Sequence, residues 1–269
     1  MRLLKKVALI TSAQHPCARA IALGFAREGA DCVVVDDDRA LAEALAAAVR
    51  ATGRRALALP ADVTDKAAVA EVVRRTVAEY GRIDILLNCS AINHDSDFLS
   101  FTEAAFNNCL DRGPKAYFLA SQAVGRVMSE QRAGKIINLA TTDGRIGSGE
   151  STGNSAAASS IESITRAIAQ ALGFYGVNCN AIITGPLNSF SGSAEEAGER
   201  MRRIPLGRFA KPEDMVGAAL FLASDEAGFV SGESICIDAG YANAAVTEDG
   251  FRPTWGRAWG PFEIPPHGK

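Results

Sequence analysis

Short apolar runs of strand length alternate with segments of helical periodicity along most of the chain. The first run, Val7–Ile10, precedes a stripe of apolar residues at helical spacing between Ala20 and Ala26. Six more runs follow, with helical spacing in each gap: 32–35, 57–59, 83–87, 136–139, 177–183 and 235–237. Strands buried on both faces are apolar throughout. The pattern therefore predicts an α/β fold with one parallel sheet covered by helices on both sides.

The alternation stops near residue 242, and the end of the chain has a different composition. No linker rich in proline or glycine interrupts residues 1–240, so we predict one domain over 1–242. The segment 243–269 holds both tryptophans, Trp255 and Trp259, and four of the ten prolines. Large aromatic side chains between stiff prolines favour an extended tail that docks on a neighbouring subunit.

Composition and charge exclude several classes of protein. The 269 residues are 48% hydrophobic and 22% charged, which is typical of a globular protein with a full core. A formal net charge of −3 offers no basic face for a phosphate backbone or an anionic membrane surface. We therefore expect neither nucleic acid nor a membrane as a partner.

Cysteine and histidine usage points to a reducing compartment. The six cysteines form no Cys-x-x-Cys pair, and the three histidines do not cluster, so we expect neither a metal site nor a disulfide framework. The apolar stretch at the start of the chain is interrupted and too short for a signal peptide. The predicted location is the cytoplasm.

Several short motifs stand in a fixed order along the predicted strands. They are Asp36 after the second strand, Asp62-Val63 after the third, Asn88 after the fourth, Gly207-Arg-Phe209 with Pro212-Glu213, Phe221–Ser224, and Ser231-Gly232 before Asp238–Gly240. With these landmarks the chain resembles the short-chain dehydrogenase/reductase family from about Leu3 to Ala242. The resemblance implies a Rossmann-like, doubly wound, seven-stranded parallel sheet, with a dinucleotide cleft at the carboxyl ends of the strands.

The first turn departs from the family pattern. Family members carry Thr-Gly-x-x-x-Gly-x-Gly there, because bare backbone must approach the cofactor pyrophosphate. This chain has Ser12, Pro16 and Ala18 at the three glycine positions, which adds two Cβ atoms and a proline ring. We therefore expect a closed cradle and no cofactor bound by this chain, with NAD on a partner subunit. The alternative is a modified loop that still binds.

Four further positions match cofactor contacts of the family. The resemblance implies that Asp36 would hold the adenosine ribose, that Asp62 and Val63 would meet adenine, and that Asn88 lies beside the cleft. Carboxylates before a helix also cap its N-terminus without any ligand. With the glycines replaced, we interpret these residues as structural.

The residues that move protons in the family are also replaced. The family uses a serine, a tyrosine, a lysine four residues after it and an asparagine, and the matching positions here are Thr141, Asn154, Ala158 and Gly113. Asparagine has no accessible proton to exchange, and alanine has no polar side-chain atom. We therefore predict that no catalytic residue is intact.

A rebuilt site is an alternative. His94 and Asp95 follow the fourth strand and Asp143 follows Thr141, all at the rim where ligands bind in open α/β sheets. His94 paired with Asp95 or Asp143 would be a replacement catalytic pair, whereas the simpler interpretation is a solvated loop.

Three functions fit these residues. The first, which the sequence favours, is a non-catalytic subunit of a hetero-oligomeric NAD-dependent short-chain alcohol dehydrogenase, assembled with an active homologue and with a hydroxyacyl-CoA as one candidate substrate. The helical segment Ser155–Leu172, rich in small residues, matches the family's interface helix. The second is an NAD-dependent oxidoreductase with an unorthodox site, and the third is a ligand-sensing or scaffold protein. Fold alone does not choose among them.

Overall fold

The computed structural model describes residues 1–90, 97–147, 151–187, 198 and 201–243. Seven parallel strands form one sheet in the order β3-β2-β1-β4-β5-β6-β7. The strands are β1 Val7–Thr11, β2 Asp31–Asp36, β3 Ala56–Pro60, β4 Ile85–Asn88, β5 Gly134–Thr141, β6 Val177–Thr184 and β7 Ser234–Ile237. The predicted seven-stranded Rossmann-like sheet is confirmed.

Helices cover both faces of the sheet. Those in the described residues are α1 Pro16–Arg27, α2 Arg39–Arg50, α3 Lys66–Tyr80, α4 Glu103–Leu110, α5 Ala116–Gln131, α6 Asp143–Ile146, α7 Thr152–Gly173 and α8 Val216–Ala223. One face packs against α1, α2 and α8, with Phe25 and Leu45 fully buried. The other packs against α3, α5 and α7, with Val124 and Met128 in its core. Alternate residues of each strand enter the two cores, so the apolar runs are continuous.

The strand order reverses direction between β1 and β4, and this places the functional cleft. From β1 the chain builds outward to β3, whereas β4 pairs with the other side of β1 and leads to β7. The Thr11 hydroxyl at the end of β1 accepts a hydrogen bond from the Cys89 backbone N–H at 2.9 Å. Ligands bind in the crevice outside the carboxyl ends of the strands at such a switch point.

Buried amides connect β4, β5 and α7. The Asn88 Nδ2 donates to Asn138 Oδ1 at 2.8 Å, and the Asn138 Nδ2 donates to Thr165 Oγ1 at 2.9 Å. All three residues are fully buried, so each hydrogen bond satisfies a group that water cannot reach. Asn88 thus braces the sheet beneath the cleft.

Between α4 and α5 the backbone forms a single π-turn over Asp111–Lys115. Gly113 has φ −93° and ψ −108°, and Pro114 lies one residue later, where it cannot donate a backbone hydrogen bond. The sequence predicts a helix end near Asp111 for this reason, and α4 ends at Leu110.

The described residues cover only part of what the sequence predicts about the tail, the cysteines and metal or membrane binding. The segment 244–269, with both tryptophans, lies outside them. All six cysteines are free thiols and five are buried. Within the described ranges, no helix combines the length and apolarity needed to cross a membrane, and no group of three metal-ligating side chains is found.

Candidate functional site

A cleft runs along the carboxyl ends of the central strands and has two adjoining parts that share Ser90. Both parts are open to solvent. The first, the adenosine-side pocket, is lined by Ser12, Gln14, Asp36, Asp37, Ala61, Asp62, Val63, Thr64, Cys89, Ser90 and Arg112. The second, the Asn154-side pocket, is lined by His15, Ser90, Leu139, Ala140, Thr141, Asn154, Ala158, Ile161 and Thr184.

The turn between β1 and α1 keeps a glycine-like backbone without glycine. Ser12 has φ 57°, in the left-handed region that costs a non-glycine residue of order 1–3 kcal/mol. The His15 backbone N–H donates to the Ser12 carbonyl at 3.0 Å and closes the turn. Ser12 therefore adopts the backbone conformation of the turn, and the turn stays closed.

Pro16 and Ala18 also fit this turn. Pro16 is in the first turn of α1, where its fixed φ suits the helix and its missing N–H would lack an intrahelical partner anyway. Ala18 is fully buried within the core beneath the turn. His15 caps the helix, because its Nδ1 accepts the Cys17 backbone N–H at 3.2 Å.

The three aspartates after β2 have three different partners. The Asp36 carboxylate is buried and accepts the backbone N–H groups of Gln14 and Asp38, each at 3.0 Å. Asp37 forms an ion pair with Arg112 at 2.8 Å, whose guanidinium lowers the pKa of Asp37. Asp38 caps α2. Burial raises the pKa of Asp36 against the effect of its two backbone hydrogen bonds.

Asp62 and Val63 also line the adenosine-side pocket. The Asp62 Oδ1 accepts both the backbone N–H and the hydroxyl of Thr64 at 2.8 Å, which fixes the loop after β3. Val63 also packs against the core below. The lining of the pocket thus combines the carboxylates of Asp36 and Asp62 with the apolar side chain of Val63.

Three of the four predicted catalytic positions meet in the Asn154-side pocket. Thr141, Asn154 and Ala158 all line it. Asn154 and Ala158 lie on α7 and are 8% and 4% exposed. The Thr141 hydroxyl donates to the Asp143 carboxylate at 3.2 Å, and the Asn154 Oδ1 accepts from the Cys109 thiol at 3.9 Å.

Gly113, the fourth position, lines neither of the two described pockets. It is buried within the π-turn, and the residue before it, Arg112, projects to the adenosine-side pocket instead. The motif positions do not indicate an arginine at the cleft. Arg112 lies there because the chain forms a π-turn at Gly113 and Pro114.

The cleft is also lined by four residues that the sequence motifs did not indicate: His15, Ser90, Thr184 and Arg112. The position of His15, after the first predicted strand and directly before the first predicted helix, could have indicated that it lies at the cleft. His94 and Asp95 lie outside the described residues. Tyr117 is fully buried, and its hydroxyl donates to the Leu139 carbonyl at 2.8 Å.

Comparison with known proteins agrees with this architecture. The family model described as enoyl-(acyl carrier protein) reductase matches residues 13–242. The chain belongs to the short-chain dehydrogenase/reductase family. Galactitol 2-dehydrogenase of Agrobacterium fabrum is 36% identical over 255 residues, which cover 89% of this chain and 98% of that protein.

Two further members of the family are informative. A (2S)-[(R)-hydroxy(phenyl)methyl]succinyl-CoA dehydrogenase subunit, BbsD of Thauera aromatica, is 33% identical over 89% of this chain and 98% of its own length. The crystal structure of an NAD⁺-bound xylitol dehydrogenase superimposes with a TM-score of 0.85 at 26% identity and covers 89% of this chain and all of that one.

The prediction that this chain binds no cofactor is wrong. A similar L-rhamnose 1-dehydrogenase is NAD(P)⁺-dependent by name, and the NAD⁺-bound xylitol dehydrogenase shares the fold over its whole length. The physical reason lies in the turn after β1, where Ser12 adopts a positive φ and Pro16 and Ala18 fit the start of α1. Replacing the glycines therefore changes the side chains around the cradle without removing the turn.

Proposed function

We propose that this chain is a dinucleotide-binding, non-catalytic subunit of a hetero-oligomeric NAD-dependent short-chain alcohol dehydrogenase, assembled with a homologue that performs the reaction. One observation carries the proposal. Asn154 and Ala158 occupy the positions that match the family's tyrosine and lysine, and both line the same pocket as Thr141. A ligand in this pocket would therefore lie beside side chains that do not exchange protons near neutral pH.

Two other titratable groups in or beside this pocket are poorly suited to proton transfer. Burial raises the pKa of Tyr117 well above its ordinary value, and its hydroxyl is already bonded to the Leu139 carbonyl. Burial lowers the pKa of His15 to about 4. A general acid or base works best with a pKa near the working pH, so neither group replaces the family's tyrosine.

The cleft residues fit a nicotinamide dinucleotide. Asp36 would hold the adenosine ribose, since a carboxylate that accepts two backbone N–H groups still has lone pairs to accept more. Asp62 and Val63 would flank the adenine, and the turn at Ser12 would face the pyrophosphate. Such a cofactor exchanges a hydride with an alcohol or carbonyl carbon. In this chain the residues bind and orient it.

The proposed partner is an active homologue of the same fold. The exposed side of α7 carries Ser163, Ala167 and Ala171 at every fourth position, which allows another helix to approach closely. The similar BbsD protein is by name a subunit of a dehydrogenase. We propose a secondary alcohol as the partner's substrate class, with a hydroxyacyl-CoA as one member of it.

Co-expression with a homologous dehydrogenase from the same genome tests this function. Native mass spectrometry should show one mixed oligomer, and the isolated chain should bind NAD⁺ without reducing it in the presence of secondary alcohols. Ala167→Trp, on the exposed side of α7, should abolish the mixed species. Ala47→Trp, on the exposed side of α2, is the matched control and should leave it intact.

An oxidoreductase with an unorthodox site is the second candidate. The contact between Thr141 and the Asp143 carboxylate favours it, because it brings a potential proton acceptor to the rim of the cleft. Steady NADH formation by the isolated chain, lost in Asp143→Asn, would replace the subunit hypothesis with this one.

A further inference from the structure

His15 is held in a defined protonation state at the start of α1. Its Nδ1 accepts the Cys17 backbone N–H at 3.2 Å, so the ring proton must be on Nε2. The ring is partly buried, and it contributes to the wall of the Asn154-side pocket. The Nδ1 edge of the imidazole therefore caps the helix, and the Nε2 edge carries a hydrogen-bond donor.

The first turn of α1 has few backbone N–H groups free for a ligand. Phosphates ordinarily bind to the free backbone N–H groups of a first helical turn. Here Pro16 has no N–H, and the N–H of Cys17 is used by His15. A ligand that approaches this turn therefore meets the imidazole Nε2–H where two backbone donors are missing.

His15 also lies at the correct place along the cleft. Asp36 and Asp62 line the adenosine-side pocket, whereas His15 lines the adjoining pocket with Thr141 and Asn154. A dinucleotide that spans both pockets must place its pyrophosphate between its two nucleoside ends. The turn that carries Ser12 and His15 reaches both pockets, so it is the part of the chain next to that linkage.

We propose that His15 is a cofactor-binding residue whose Nε2–H donates a hydrogen bond to a pyrophosphate oxygen of a nicotinamide dinucleotide, in place of the backbone donors lost at Pro16 and Cys17. This inference rests on the dinucleotide binding in the proposed function. The interaction needs no charge on the ring, since a neutral donor bonded to an anionic oxygen is already a charge-assisted hydrogen bond. Burial keeps the ring neutral at physiological pH, because it lowers the pKa of His15 to about 4.

Three substitutions separate the cap from the donor. In His15→Asn the amide oxygen takes the place of Nδ1 as the cap, and asparagine is a preferred cap residue, but the donor at the Nε2 position is lost. In His15→Gln the amide nitrogen reaches approximately the Nε2 position, while the cap is weakened. His15→Ser is a second variant that keeps a good cap without the donor.

Isothermal titration calorimetry with NAD⁺, combined with thermal melts of each protein, is the measurement. We expect His15→Asn and His15→Ser to weaken NAD⁺ binding about tenfold or more at an unchanged melting temperature, because a hydrogen bond to a charged group is lost. We expect His15→Gln to stay within about threefold of the wild-type affinity, at a lower melting temperature. Adenosine, which has no phosphate, should bind all four proteins equally.

The outcomes distinguish this inference from the proposed function. Wild-type binding of NAD⁺ with His15→Asn and His15→Ser within twofold of it would overturn the role of His15 and leave the proposed function standing. Equal losses in the Asn, Ser and Gln variants would overturn the donor role in favour of a purely structural one. No saturable NAD⁺ binding by the wild type would overturn the proposed function, and this inference with it.

Discussion

The neutral state of His15 makes the stability of the protein depend on pH in a way that one substitution removes. Burial lowers the pKa of His15 from 6.5 to about 4 in the folded chain. Between these two values the unfolded chain holds a proton on this ring that the folded chain does not hold. The free energy of unfolding therefore rises with pH across this window, and the contribution is lost as the solution is acidified from about pH 6.5.

The difference of about 2.5 pKa units corresponds to about 3 kcal/mol when the window is fully crossed. At pH 5 the linkage relation gives a loss of about 2 kcal/mol in the free energy of unfolding, and at pH 7.5 it gives almost no loss. His15→Asn keeps a helix cap but does not titrate. The carboxylates are common to both proteins, so their effects cancel in the difference between wild type and variant.

Urea denaturation of both proteins at pH 5.0, 6.0 and 7.5 measures this difference. We expect similar stability at pH 7.5 and a variant that is more stable than the wild type by about 2 kcal/mol at pH 5.0. A stability difference that is constant with pH would show that the ring is not held neutral. A difference of the opposite sign would show that the ring gains an acidic partner on folding.

Three further substitutions test other parts of the structure. Asn138→Ala should lower the free energy of unfolding by about 2–4 kcal/mol, measured in urea, because it leaves buried polar partners unpaired. Gly144→Ala should cost about 1–3 kcal/mol in the same assay, since an added Cβ would lie 2.6 Å from a backbone nitrogen of α7. Gly217→Ala, with no heavy atom within 4 Å of the added Cβ, is its control, and it should leave the free energy of unfolding unchanged or raise it by up to about 1 kcal/mol. Arg112→Ala should change the stability by less than about 1 kcal/mol, because the ion pair with Asp37 is exposed, and a larger loss in urea would contradict this.

The positions of the cleft residues could be predicted from the sequence to a considerable degree. The resemblance to the family placed Thr141, Asn154 and Ala158 at one site, and the structure brings them into one pocket. Gly113 was placed there too, but the π-turn keeps it out and brings Arg112 to the cleft instead. A local backbone irregularity of this kind depends on the packing around the turn. The spacing of residues along the chain does not reveal that packing.

The cofactor prediction failed for a related reason. Residue types at Ser12, Pro16 and Ala18 indicate what each position lacks relative to glycine, but not which φ the chain adopts. The structure gives Ser12 a φ of 57°, a value that the surrounding contacts must stabilise against its steric cost. The identity of the residue therefore did not decide the shape of the turn.

The sequence by itself determined the seven strands and their alternation with helices, because side-chain periodicity and connection lengths are local properties of the chain. The cleft at the carboxyl ends of the strands followed from the resemblance to the family. Only the tertiary structure decided what each polar group does. Asp36 meets the backbone of Gln14 from 22 residues away, and Asp37 meets Arg112 from 75 residues away. Which donors and acceptors are already paired, and which remain for a ligand, depends on such contacts between distant segments, and these contacts form only when the sheet assembles.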